Sequence, residues 1–101
     1  MVEELLARKA EIEALCRKHS VRRLDVFGSA ARGDFDPARS DFDFLVIFEP
    51  VERKGFDDVY FRLLMELETL LGREVHLVEE KCQDADFMKF ANRNRELLYA
   101  A

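Results

Sequence analysis

A chain of 101 residues, 49% hydrophobic and 37% charged, has the length of one domain and the apolar material for a core, which excludes a disordered tail, a collagen-like repeat and a disulfide scaffold. Its net charge of −5 argues against direct nucleic-acid binding, because neutralising phosphates takes clustered Lys and Arg. No stretch reaches the ~20 apolar residues of a membrane span, and the charged start from Met1 to Lys18 lacks the apolar centre of a signal peptide, so residues 1–101 read as a single cytoplasmic domain.

The first predicted element is a helix from Val2 to His19, with Leu5, Ile12, Leu15 and Cys16 on one stripe. His19, at its end, reads as a favourable charge for the helix C-terminus. Val21 to Phe27 is a strand whose Leu24 and Val26 face one way and whose Asp25 and Phe27 face the other. Gly28 and Ser29 break it. One short helical turn at most, then a loop marked by Gly33 and Asp36-Pro37, leads to a second strand from Asp41 to Glu49, ended by Pro50. A long helix from Gly55 to Leu71 follows, with Val59, Leu63, Leu67, Leu70 and Leu71 as its apolar stripe, Asp57 or Asp58 as its cap and Gly72 as its stop. Glu74 to Glu79 is a third strand. Asp84 to Ala100 is a closing helix that buries Phe87, Phe90, Leu97 and Leu98. Strands alternating with helices predict an α/β (α+β) fold, a small sheet with helices packed on it.

Cys16 and Cys82 lack a Cys-x-x-Cys spacing and read as small core hydrophobes in a reducing compartment. Nine phenylalanines are a heavy load for this length, and Phe35, Phe56, Phe87 and Phe90 are the ones expected nearest the surface. The clusters Glu66-Glu68 and Glu79-Glu80-Lys81 read as solvated faces.

Period two along the second strand puts Asp41, Asp43, Leu45 and Ile47 on one face and Phe42, Phe44, Val46 and Phe48 on the other. Both faces are apolar beyond the first residues, which marks a central strand covered on both sides. Two aspartates at its mouth stand roughly 6.5–7 Å apart by strand rise and repel when partly desolvated. A divalent cation removes that cost, and carboxylates are what Mg²⁺ or Mn²⁺ takes. Paired carboxylates of this kind can hold two ions about 3.5–4 Å apart, the arrangement for phosphoryl or nucleotidyl transfer. The bland alternative makes Asp41 a turn residue and leaves Asp43 solvated at the sheet rim. A calcium loop starting at Asp34 fails, because its sixth position is Arg39 rather than Gly.

Upstream, Gly28 lets a phosphate approach the backbone, and the Ser29 hydroxyl and nearby N–H groups can hold it. Arg32 follows at a spacing that can add a guanidinium to the same phosphate. Each signal alone is weak, since Gly-Ser is usually a turn and Arg32 taken singly is a surface arginine.

Together, Gly28-Ser29-Ala30-Ala31-Arg32-Gly33 and Ser40-Asp41-Phe42-Asp43-Phe44-Leu45-Val46 resemble the signature of the nucleotidyltransferase superfamily related to DNA polymerase β. The chain is most similar to its minimal nucleotidyltransferases, which include the antitoxin half of HEPN/MNT toxin–antitoxin pairs. The resemblance spans nearly all 101 residues. It implies a mixed sheet with helices against it, a triphosphate held by Gly28 and Ser29, and a divalent metal, Mg²⁺ or alternatively Mn²⁺, held by Asp41 and Asp43. It also implies transfer of AMP from ATP to a hydroxyl, in the toxin–antitoxin branch a tyrosine of the HEPN ribonuclease. A homodimer is the other assembly left open.

One position departs from the pattern. Active relatives supply a third carboxylate from the next strand, and here His76 stands at that place. Neutral imidazole can serve as a base near pH 7, but it is a poor Mg²⁺ ligand and a better Mn²⁺ one. Glu74 shares the strand face and is the nearest substitute. The alternative reading follows: a catalytically weak or inactive antitoxin that inhibits its partner by complex formation.

Overall fold

The computed structural model describes residues 1–50 and 56–101. The predicted helix start at Gly55 and the side chains of Phe56, Asp57 and Asp58 lie outside the described part. The elements are α1 (Glu3–Ala7), α2 (Lys9–Lys18), β1 (Val21–Phe27), α3 (Ser29–Arg32), β2 (Phe42–Phe48), α4 (Phe56–Leu71), β3 (Val75–Glu79), a 3₁₀ turn (Glu80–Cys82), α5 (Ala85–Asn92) and β4 (Glu96–Ala100). Among the described residues no helix is long and apolar enough to cross a membrane.

The sheet is mixed, in the order β3-β2-β1-β4. β1 runs antiparallel to β2 and to β4, and β2 runs parallel to β3. β2 is central and covered on both faces, as its two apolar sides require. One face carries the main core: Phe42, Phe44, Val46 and Phe48 of β2 meet Leu5, Ile12 and Cys16 of α1 and α2 and Leu63 and Leu67 of α4. The other face is smaller, with Leu45 and Phe27 packed on Ala91 and Phe87 of α5.

The first predicted helix is two. Arg8 leaves helical geometry at φ −109°, ψ 10°, and nothing in the neighbouring side chains accounts for the break. The larger correction is at the end of the chain. The predicted closing helix stops at Asn92, and Glu96–Ala100 is an edge strand on β1. Asp84 caps α5 by accepting from the Phe87 amide at 2.8 Å, as a helix start there requires. Asn92-Arg93-Asn94 then breaks the helix, and the open edge of β1 captures Leu98 and Tyr99, leaving Leu97 half exposed at 51%.

Other expectations also shift. Cys16 is buried, but Cys82 is exposed on the 3₁₀ turn. Phe90 is exposed, which overturns its place on the buried stripe of the closing helix and agrees with its place among the phenylalanines expected near the surface, whereas Phe35 stacks on Phe42 at 5.0 Å, and Phe61 is exposed where it was not expected. His19 is the C-cap of α2, yet it is buried and hydrogen-bonded to Glu66 of α4. The glutamates of the supposedly solvated clusters are engaged: Glu66 with Lys18 and His19, Glu68 with the Val75 amide, Glu80 with Arg95.

Candidate functional site

Strand register builds the site. Phe27 lies opposite Asp43 across the antiparallel pair, and Asp43 lies opposite His76 across the parallel one. The end of β1 and the starts of β2 and β3 therefore form one row, and the residues just beyond those strand ends crowd together.

Gly28 follows β1 with φ 71° and ψ −151°, a backbone region essentially reserved for glycine. A Cβ at this position would overlap the Asp43 carboxylate oxygen Oδ2. Glycine is thus required twice, for its conformation and for the space. The other oxygen of Asp43, Oδ1, lies 2.8 Å from His76 Nδ1. On the far side of the ring, His76 Nε2 lies 3.9 Å from Asp41 Oδ2 and 3.7 Å from Glu74 Oε1. The hydrogen bond to Asp43 raises the pKa of His76. The charges of Asp43, Asp41 and Glu74 push the same way and partial burial opposes them.

Donor atoms of Asp41, Glu74 and His76 lie within 4.8 Å of one another. Two carboxylates and an imidazole make a donor set that fits a divalent cation, with the nitrogen favouring Mn²⁺ over Mg²⁺. Glu74, read from the sequence as a substitute two residues from the expected place, stands inside this cluster. Period two along β3 already put it on the face of His76, and the Phe42 amide donates to the Glu74 carbonyl at 3.2 Å, which fixes that register.

Of the residues expected in the site, Gly28, Asp41, Asp43 and His76 come together. Ser29 is half-buried beside Gly28 at the start of α3. Arg32 is exposed and pairs with Asp34 at 3.3 Å. The turn role once open to Asp41 belongs to Asp36: its side chain accepts from the Ala38 amide at 2.9 Å, and its amide donates to Ser40 Oγ at 2.9 Å. Arg73, which carried no motif, was missed. It lies against the loop that delivers Asp41.

Comparison with known proteins gives the following likenesses. Residues 9–98 match the family described as "Nucleotidyltransferase domain". A Methanocaldococcus jannaschii protein provisionally named a protein adenylyltransferase is 41% identical over 70 residues, covering 69% of this chain and 71% of that one. A solved structure described as a provisionally assigned minimal nucleotidyltransferase superposes with a TM-score of 0.77 at 35% identity, over 93% of this chain and 92% of that chain. A toxin–antitoxin structure with AMP-PNP shares the fold, with a TM-score of 0.73 at 19% identity over 92% of this chain and 73% of that chain. So does a complex of tri-AMPylated Shewanella oneidensis HEPN toxin with MNT antitoxin, with a TM-score of 0.68 at 16% identity over 95% and 72%.

Proposed function

The chain belongs to the nucleotidyltransferase domain family, and on that premise we propose that it moves AMP from ATP onto a tyrosine hydroxyl of a HEPN-type toxin, acting as the antitoxin. The observation that carries the reading is the row Phe27, Asp43, His76, because it sets a glycine strand end against two aspartates and an imidazole. The relative named a protein adenylyltransferase supports AMP as the group moved. The fold shared with structures of AMP-PNP-bound and AMPylated toxin–antitoxin systems supports the partner class.

In this reading Gly28 leaves room for phosphate oxygens beside the backbone, and the Ser29 hydroxyl binds them. Asp41, Asp43 and Glu74 are the carboxylates that would hold a divalent cation, which leaves Nε2 of His76 for the proton. A bound cation would offset the triphosphate charge and favour ionisation of the acceptor hydroxyl. Asp43 fixes the ring of His76 through Nδ1, so Nε2 is the nitrogen turned towards the reacting groups. Unprotonated, Nε2 takes the hydroxyl proton as the acceptor oxygen attacks the α-phosphorus and pyrophosphate departs.

The test is incubation of the protein with α-labelled ATP, Mg²⁺ or Mn²⁺, and a lysate of its source cells. One labelled protein that survives denaturing electrophoresis, and disappears with the Asp41→Asn/Asp43→Asn variant, supports transfer. A second reading, inhibition by complex formation without turnover, is favoured by one observation: an imidazole stands where a third carboxylate is expected. A partner that co-purifies unlabelled and is inhibited equally by the double variant supports that reading instead.

A further inference from the structure

The loop of residues 34–41 carries Asp41 to the site, and its own internal bonds are the few around Asp36. Beside the packing of Phe35 on the core and the pairing of Asp34 with Arg32, the polar tie that fastens it to the body of the protein is Arg73, at the turn between α4 and β3. The Arg73 side chain is 19% exposed and joins three separate parts of the chain. Nε and Nη2 donate to both oxygens of Glu4 in α1, at 2.8 and 2.7 Å. Nη1 donates to the Pro37 carbonyl in the loop at 2.6 Å. The guanidinium also lies over two rings, 4.9 Å from the centroid of Phe35 in the loop and 5.8 Å from that of Phe42 in β2. Those two rings stack on each other with an interplanar angle of 7°.

We infer that Arg73 is a positioning residue that clamps the 34–41 loop and thereby sets Asp41 beside Glu74 and His76. The inference rests on the reading of Asp41 as a functional carboxylate. The planar fork is what the task needs: it satisfies a bidentate carboxylate and a carbonyl at once while lying flat on an aromatic face. Lysine offers a point charge that cannot make all these contacts together. Arg73 precedes Glu74 directly, so one short segment both clamps the loop and supplies a member of the cluster.

The experiment compares the parent with Arg73→Lys by amide hydrogen exchange and by Mn²⁺ titration followed by electron paramagnetic resonance. Clamping predicts faster exchange at Ala38 and Ser40 with β1 and α4 amides unchanged, and Mn²⁺ affinity lower by about tenfold, the low end for losing a supporting contact around a metal site. A general stabilising role predicts faster exchange everywhere. That outcome, or unchanged loop protection in a folded Arg73→Lys protein, overturns the inference. If Arg73→Lys does not fold, Glu4→Gln carries the same comparison, since it removes the anionic anchor and leaves the guanidinium in place. A parent that binds no Mn²⁺ contradicts the metal reading of Asp41, while the exchange measurement still decides the clamp.

Discussion

An imidazole set among three carboxylates is held towards its charged form. The pKa of His76 should therefore lie above its ordinary value of about 6.5 in the metal-free protein and fall towards it in Asp43→Asn, which removes the largest cause. NMR titration of the ring protons measures this directly. A folded pKa above the unfolded one gives stability that is fully present below about pH 6.5 and lost as pH rises through the folded value. A metal ligand or a base must be unprotonated, so divalent-cation affinity should strengthen over the same interval. Gly28 gives a second prediction. Gly28→Ala puts a Cβ both in a glycine-only backbone region and against Asp43 Oδ2, and should cost about 1–3 kcal/mol in chemical denaturation. The Gly-Ser and Asp-x-Asp pairs were legible in the sequence because each residue type is demanded by local chemistry. Glu74 was legible as far as its strand face, while its nearness to Asp41 depends on register, and Arg73 was not legible because its role depends on a loop folding back.

The same contrast separates the strands from the chain end. β1 and β2 follow from local alternation and were readable nearly to the residue. β4 was read as helix because Phe87, Phe90, Leu97 and Leu98 fit a helical stripe, and only the unpaired edge of β1 decides otherwise. Strand pairing at that edge is tied down by a charge that alternation placed but could not explain. Asp25 of β1 is fully buried. It accepts from Arg23 at 2.9 and 3.1 Å and from Arg95 at 2.6 Å, while Arg95 also donates to Glu80 at 2.6 Å. Removing one partner from a buried charge is costly even where another remains. Arg95→Met should lower stability by about 2–4 kcal/mol, and pairing it with Asp25→Leu should recover most of that loss, because the uncompensated charge goes too. Urea denaturation of the two variants checks both statements.

Across the whole molecule, the helices α1, α2 and α4 seal one sheet face, and Cys16 reports on that seal. Burial pushes its thiol up to about 12. Cys82 is exposed, so a thiol reagent should modify Cys82 in the native protein and reach Cys16 only on unfolding. The folded state keeps a proton on Cys16 that the unfolded state releases from about pH 9, so stability should fall between about pH 9 and 12. The central claim is that three strand ends make one metal-dependent nucleotide site. Calorimetric titration with a non-hydrolysable ATP analogue, with and without Mn²⁺, on the parent and on Asp41→Asn/Asp43→Asn, tests it most directly. The account predicts binding by the parent only when the cation is present, and at least tenfold weaker binding by the folded double variant. Equal affinity in the two proteins, or no binding by the parent with the cation, would contradict it.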